Sequence, residues 1–464
     1  MKKLTGMLLA ASLIALALPA KAEIFKNLKT TGELEVLSVF GKNVADASNS
    51  LSDDYRNTQT RLIFGLSFDL LDDVHSNVTL TKNNRYYGQI NREKGYVTYS
   101  GMAYEYIPDS RGENLDDLIN NIYVDEANVV VDNFLGLGNF KIGRQFYGDE
   151  GDLVVYYGPK HGAETLQIDS LDAMRLDFVS GNHTGHLVWG KSYSSYDTSI
   201  EYQLEDTHET FAGISDMYKF SDNLNVGGYV YNGRTGKDSV SLDGKNLWVV
   251  GAKAKGDILG INYYAEGAAN CGKAEMVNGE TTPKYTGYAM LAKLAYPVNL
   301  GAASVKPRFM FALGSGDSSG NDVSNQKEDS NFYGINSDFR PAEIFGNAND
   351  FLLYRYNSFN DYNTPNALSN LTVYNVGIDL TPAKLDKLSV SADAFKFKIT
   401  SIDGGASHLG SEVDIKVKYK CSENLTVGIT GAQFYPEEAV KNYIADGDQV
   451  NKISKVSTDF TLKF

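Results

Sequence analysis

Between Ser411 and Cys421 two registers of residues take turns. Ser411, Val413, Ile415, Val417, Tyr419 and Cys421 form one; Glu412, Asp414, Lys416, Lys418 and Lys420 form the other. A β-strand points successive side chains to opposite faces, so this segment has an apolar face and a heavily charged one. A soluble sandwich alternates as well, but turns its apolar face onto a protein core. The residues after Cys421 separate the two cases. Ser422-Glu423-Asn424 reads as a tight turn, and Leu425, Val427 and Ile429 begin a return strand. A longer polar stretch from Tyr435 to Asn451 precedes a last alternating run, Val456, Thr458, Phe460, Leu462 and Phe464. Short turn, long loop and an alternating strand ending on an aromatic residue in the apolar register are the sequence marks of a transmembrane β-barrel.

The same rhythm runs through the chain. Alternating segments are predicted at 31–40, 59–70, 75–83, 121–132, 139–146, 171–179, 185–192, 208–219 and 224–232. They continue at 247–256, 258–266, 286–297, 304–313, 370–381, 388–398, 410–421, 425–434 and 454–464. The pattern predicts an all-β chain, an antiparallel up-and-down barrel of about 18 strands, with 16 also compatible, since even numbers are the rule for bacterial single-chain barrels. Connections fall into two classes. Those at 71–74, 133–138, 180–184, 220–223, 382–387 and 422–424 are short. The alternate ones, such as 233–246, 267–285 and 314–350, are long and rich in Gly, Asn, Asp and Ser. Short periplasmic turns opposite long extracellular loops are the asymmetry of an outer-membrane barrel. No repeat of fixed period and no Pro- or Ser-rich linker interrupts the chain, so one domain, 23–464, is expected.

Residues 1–22 read as a secretory signal peptide: Lys2 and Lys3, an apolar run from Met7 to Leu18, and Ala20-Lys21-Ala22 before Glu23. Later segments never approach the ~20 apolar residues of a spanning helix. A hydrophobic fraction of 42% and a mean hydropathy of −0.29 are too polar for a helical membrane protein. They suit a barrel, in which only alternate strand residues meet lipid. Cleavage removes three lysines and no acid, so the formal charge moves from −15 to −18. Such acidity argues against a nucleic-acid partner. Thirty Tyr and 22 Phe supply the aromatic girdles expected at the two membrane interfaces. The two cysteines, Cys271 and Cys421, fall at opposite ends of the predicted barrel, so no disulfide is expected.

Lumen-facing positions emerge by opposing them to the apolar register. Arg61 opposes Leu62 and Phe64; Arg175 opposes Met174 and Leu176; Lys253 opposes Trp248, Val250 and Ala252. Lys293 opposes Met290, Ala292 and Leu294; Lys306 and Arg308 oppose Val305, Pro307 and Phe309; Lys416 lies opposite Val413 and Ile415. Arginine presents a permanently charged fork to carboxylates, and a ring of inward cations lowers the barrier for an anion. Asp69, Asp177, Glu266, Asp379, Glu412 and Asp414 are available to pair with these cations and keep the interior wet without selecting a sign.

Several stretches resemble the alginate export family of outer-membrane barrels. They are Ile122-Tyr-Val-Asp-Glu-Ala127, Phe140-Lys-Ile-Gly-Arg-Gln145 with Gly148-Asp149, and Leu171-Asp-Ala-Met-Arg-Leu-Asp177. Phe311-Ala-Leu-Gly-Ser-Gly-Asp317 with Phe339-Arg340-Pro341, and Gly410 to Ile415 through Ala432 to Pro436, complete the set. The resemblance implies an 18-stranded barrel with a basic, polyanion-conducting lumen. It also places Arg144 in that lumen, although Arg144 shares a register with Phe140 and Ile142.

The loop opening with Gly314, Ser315, Gly316 and Asp317 is the candidate constriction, or a plain solvated loop. Asp317, Asp322 and Asp329 do not reproduce a defined Ca²⁺ loop. His183 and His186, three apart in a predicted turn, lack a third ligand nearby, so no metal and no cofactor are expected. The chain contains no Gly-x-Ser-x-Gly, His-Glu-x-x-His or P-loop signature, and no enzyme is expected. The expectation is an outer-membrane porin embedded in lipid, passing small hydrophilic or anionic solutes or a polyanionic polysaccharide by diffusion. The competing reading is a surface-structural or adhesive barrel with a plugged lumen.

Overall fold

Alternation stabilises a strand only if each face meets its own solvent, and the register shows that it does. A computed structural model describes residues 26–43, 55–86, 95–99, 102–106, 122–161, 166–195, 207–235, 244–275, 283–316, 328–345, 368–402, 405–444 and 451–464. The expected signal peptide lies outside these. Eighteen antiparallel strands form the wall. In order they are β1 Lys26–Lys42, β2 Tyr55–Leu71, β3 Val74–Tyr86, β4 Tyr123–Phe134, β5 Gly138–Gln145 and β6 Leu171–Ser180. Next come β7 His183–Ser195, β8 Thr207–Ser221, β9 Leu224–Thr235, β10 Gly244–Ile258, β11 Ile261–Glu275 and β12 Tyr288–Ala295. The last six are β13 Ala303–Gly314, β14 Leu371–Pro382, β15 Leu388–Ile399, β16 His408–Lys420, β17 Leu425–Pro436 and β18 Ile453–Lys463. A short helix, α1 (Glu438–Ile444), follows β17.

Each strand pairs with its sequence neighbours, and β1 pairs with β18 from Glu33↔Lys463 to Lys42↔Ser454, which closes the sheet on itself and leaves no open edge. At this seam Gly32 exchanges backbone hydrogen bonds with Phe464 at 2.6 and 2.8 Å. A Cβ at Gly32 would fall 2.3 Å from the Phe464 ring, so the absent side chain is what seats the aromatic.

The segment that alternates most clearly in sequence also splits most clearly in space. Val413, Ile415, Val417 and Tyr419 are 37–50% exposed on the outer wall, whereas Glu412 and Asp414 between them are 0% and 3% exposed inside. Burying Leu, Ile and Phe against hydrocarbon is favourable by ~25 cal/mol per Å², and no protein core is needed on that side. The short connections lie at one end, where Leu71, Phe134, Leu135, Val179, Phe220 and Leu259 ring the rim.

The interior departs from a simple water-filled tube. Two connections fold inward and pack on one another. One includes 146–161 and 166–170, between β5 and β6; the other includes 328–345, between β13 and β14. Ile335 and Asn336 donate their backbone N–H groups to the Val154 carbonyl at 2.9 and 3.1 Å, and Tyr156 donates to that of Asn336 at 2.8 Å. Leu153, Val154, Phe332 and Phe345 of these segments are fully buried with inward wall residues Leu171, Phe211, Leu247, Phe397 and Phe434. This plug gives the upper barrel a hydrophobic core of its own.

Candidate functional site: the plug anchors and the inner cavity

The plug carries backbone and charge into the barrel, and the wall supplies partners for both. Glu412 on β16 is fully buried because its carboxylate accepts the N–H groups of Glu343, Ile344 and Phe345 at 3.1, 2.7 and 2.9 Å; Asp414 accepts that of Glu343 at 3.2 Å. Backbone donors of this kind satisfy the acceptor oxygens and so offset part of the cost of burying a carboxyl group. Beside them Glu343 is held by Lys416, and by Lys455 of β18 at 2.9 Å. Burial alone would raise the Glu343 pKa, but the two ammonium groups hold it well below the usual carboxylate range. Phe345 then stacks on Phe434, ring centroids 5.1 Å apart and nearly parallel, and leans on Phe397 at 4.6 Å.

The opposite wall grips the first plug segment. Arg61, 0% exposed, donates to Glu35 at 2.5 Å and to the Lys160 carbonyl at 2.9 Å. His161 bridges Glu35 at 2.6 Å and Glu150 at 3.0 Å. Burial depresses an imidazole pKa, but hydrogen bonds to Glu150 and Glu35 and the Glu35 charge outweigh it, lifting His161 to about 9. Glu33, Glu35 and His161 bring ligand atoms within 4.8 Å of one another. The Arg61 guanidinium in the same cluster opposes a cation there.

Toward the short-turn end the plug stops and a cavity of about 900 Å³ remains, lined by the cations Lys293, Lys306, Arg308, Arg340, Lys416, Lys418 and Lys455 and by the acids Glu35, Glu150, Asp338, Glu343, Asp393, Asp414 and Asp459. Most of the charge is paired. Arg308 reaches Asp379 and Asp393, each at 2.9 Å, and Lys306 reaches Asp379 at 3.7 Å. Lys293 lies 5.7 Å from the centre of the Tyr264 ring, and it and Lys418 have no acid partner among the described residues.

The eight cations assigned to the lumen from sequence therefore divide. Arg61 and Lys253 are plug anchors, Lys253 meeting Asp152 at 2.6 Å and Glu266 at 3.6 Å. Arg175 faces inward, bonded to Asp177 at 2.5 Å under the Tyr147 ring. Lys293, Lys306, Arg308 and Lys416 line the cavity.

Arg144 does not face the lumen. It sits opposite Asp172 in the ladder, in the same outward row as Ile142 and Met174, and its guanidinium reaches Asp172 at 3.3 Å. Strand alternation prevails over the position that the family resemblance implied.

Of the candidate constriction, Gly314, Ser315 and Gly316 are described. Gly314 ends β13, where a Cβ would fall 1.5 Å from the Leu368 carbonyl oxygen. Ser315 ties the loop base through bonds to Tyr288 and Ser330 at 2.7 and 2.6 Å, and Gly316 accepts from Ser330. Asp317 and Asp322 lie outside the described residues, and Asp329 bonds the Tyr333 hydroxyl at 2.9 Å. The narrowing is made farther along this excursion, at 331–345, and by the loop after β5, because those segments carry the apolar residues that can fill a barrel. His183 and His186 face opposite sides of the wall, bound to Asp216 and Asp177, and share no site.

Lys455, Glu35 and Glu343 were missed in the sequence. Lys455 and Glu35 were legible by the alternation that found the others, opposing Val456 and Val36; Glu343 lies in a loop and carries no periodic signal.

The geometry agrees with known folds. The family profile described as Alginate export matches residues 109–451. Three solved outer-membrane proteins of Pseudomonas aeruginosa superpose over nearly their whole length. OccK8 (OprE) gives a TM-score of 0.54 at 12% identity, over 96% of this chain and 99% of that one. OccK11 (OpdR) gives 0.53 at 10%, over 95% and 97%, and OpdQ gives 0.53 at 12%, over 95% and 99%. At such identities the likeness is one of fold. No curated protein matches the chain in sequence. Barrel, outer-membrane location and family are those of channels.

Proposed function

We propose that this chain, which belongs to the alginate export family, is a passive channel of the outer membrane that admits small hydrophilic solutes and favours anions. The observation that carries the reading is the cavity below the plug, where Lys293 and Lys418 make no ion pair among the described residues; Asp459 on the same wall makes none either, so the preference rests on where these cations stand along the path and not on an excess of positive charge. An uncompensated cation in a confined aqueous space lowers the entry barrier for an anion, whereas a paired one leaves the sign of the local potential nearly unchanged. Conduction involves no bond making; a solute sheds part of its water, exchanges hydrogen bonds with the wall and leaves. The plug anchors favour small solutes over a polysaccharide, since a polymer needs the plug displaced and its buried carboxylates left unpaired.

Planar-bilayer recording tests this. The purified protein is expected to open channels with reversal potentials showing anion preference, and Lys293→Gln with Lys418→Gln to abolish most of it. An unchanged preference would sink the assignment. The packing of Val154 and Phe345, 0% exposed in the middle of the barrel, favours a second reading, a plugged barrel whose long loops bind surface partners. Absence of any conductance supports that one.

A further inference from the structure

The outer wall carries a feature that conduction does not use. On β7 the outward positions run Leu187, Trp189, Lys191; on β9, Val230, Asn232, Arg234; on β11, Ala269, Cys271, Lys273. Register aligns them. Trp189 pairs through Ala212 and Asn232 with Trp248, and Trp248 with Cys271. Two residues farther toward the long-loop end, Lys191, Thr210, Arg234, Asn246 and Lys273 form the next unbroken cross-strand row.

The only tryptophans in the chain, Trp189 and Trp248, are 52% and 42% exposed and lie directly beneath this row. Tryptophan on a lipid-facing surface marks the membrane–water interface, so the row crosses the extracellular interfacial zone, climbing as the strands tilt. Cations on alternate strands stand roughly 10 Å apart, close enough for long side chains to converge on one headgroup.

The charge is not a by-product of composition, since the whole chain is −15. Nor is it neutralised among the described residues. Asp172, beside Lys191 in the row, is taken by Arg144, and Lys191, Arg234 and Lys273 are exposed and have no ion pair among the described residues. At the far end Lys284 continues the row next to Lys273, with Glu328 opposite it. An isolated interfacial lysine is explained by snorkelling. Three exposed cations in one row above two tryptophans, with no ion pair among the described residues, present a surface matched to a polyanion.

The geometry points to a binding surface on β7–β11 for the phosphate groups of a phosphorylated glycolipid of the outer leaflet, Lys191, Arg234 and Lys273 donating to phosphate oxygens while Trp189 and Trp248 lie against the acyl chains. It rests on the outer-membrane placement alone, and stands or falls separately from the conduction reading.

The test is binding of purified lipopolysaccharide to the detergent-solubilised full chain, read by native mass spectrometry. Neutralising Lys191, Arg234 and Lys273 to Gln is expected to weaken binding about a hundredfold, at the usual contribution of a basic residue near an anionic surface. Arg234→Gln alone is expected to cost about fivefold, which keeps the test open should the triple variant fail to fold. Lys191→Arg with Lys273→Arg should retain binding. Lys384→Gln with Lys387→Gln, in a turn at the opposite end, should also leave it unchanged. The same lipid stripped of phosphate should bind the natural chain no better than intact lipid binds the triple variant. Equal affinity in the triple variant overturns the proposal. So does equal loss with phosphatidylglycerol, which makes the row a general anion attractor, and so does displacement of the lipid by inorganic phosphate at matching concentration, which makes it a site for the free ion.

Discussion

Lys253 of the barrel wall and Asp152 of the plug meet at 2.6 Å, with both side chains largely withdrawn from water. The Lys253 ammonium also lies 5.0 Å from the centre of the Tyr229 ring, and Tyr229 donates to Glu266 at 2.6 Å. Asp152 in turn accepts the N–H groups of Val154 and Val155 at 2.8 and 3.1 Å, which shapes the turn that puts Val154 against Ile335 and Asn336. One wall cation thus braces the turn through which the two inward loops meet.

Lys253→Met is expected to leave Asp152 and Glu266 buried without their cation, a loss of about 3 kcal/mol or more. The barrel strands remain paired, so the effect falls on the plug. Single-channel traces should become noisier and the mean conductance should rise, while the heat-modifiability shift of the folded barrel on a gel stays in place. A quiet trace of natural conductance would show that the pair holds nothing.

Glu412→Leu removes the acceptor of the Ile344 and Phe345 N–H groups and leaves that of Glu343 with Asp414 alone, without a change of strand propensity that could unfold the wall. Each buried donor left unpaired costs about 1–3 kcal/mol. Protease cleavage within 331–345 is expected to be slow in the natural protein and to accelerate sharply in the variant; Glu412→Gln, which keeps one acceptor oxygen, should fall between the two.

Gly314→Ala introduces a Cβ where the Leu368 carbonyl oxygen stands at 1.5 Å, a backbone atom that cannot swing aside. The end of β13 and the start of β14 must separate. Hydrogen exchange at Ala312, Leu371 and Val373 should speed up, with no change at the β16–β17 hairpin on the far side of the excursion.

The wall was legible because its signal is repeated and strictly local. Val413 and Glu412 differ in polarity by necessity when hydrocarbon lies on one side, and the same contrast recurs in every strand, so strand number and face could be counted. Arg144 shows the limit of the other source: its register with Phe140 and Ile142 left either face open, only the family resemblance favoured the lumen, and the ladder sets it on the outer face. The plug was not legible. Nothing in the periodicity of a loop states whether it turns out to water or back into the barrel. The one clue was compositional, apolar clusters such as Leu153-Val-Val155 and Ile344-Phe345 in connections that ought to be polar. The wall side held a matching clue in inward aromatics, Phe211, Tyr229, Tyr231, Phe395 and Phe397, which a water-filled lumen would not need.

His161 makes the plug sensitive to pH, and its partners set the sign. Its imidazole stands between Glu35 and Glu150, with the Arg61 guanidinium 3.1 Å away, and Glu33 and Lys160 complete the charged groups around it. The carboxylates prevail over burial and over Arg61, so the folded-state pKa is raised to about 9 from an ordinary 6.5. A group raised on folding stabilises the folded arrangement fully below its unfolded pKa, and that contribution is lost as pH climbs through the folded one. The tie between the first plug segment and β1 is therefore complete below about pH 6.5 and gone above about pH 9. Glu343, held low by Lys416 and Lys455, acts in the opposite sense, its contribution present at neutral pH and lost only in strong acid. Channel noise is expected to rise from pH 7 to pH 10 and to stay flat from pH 7 down to pH 5. In His161→Gln the high-pH noise should persist at pH 6. If that variant keeps the natural pH profile, another group carries the titration and the His161 bridge does not restrain the plug.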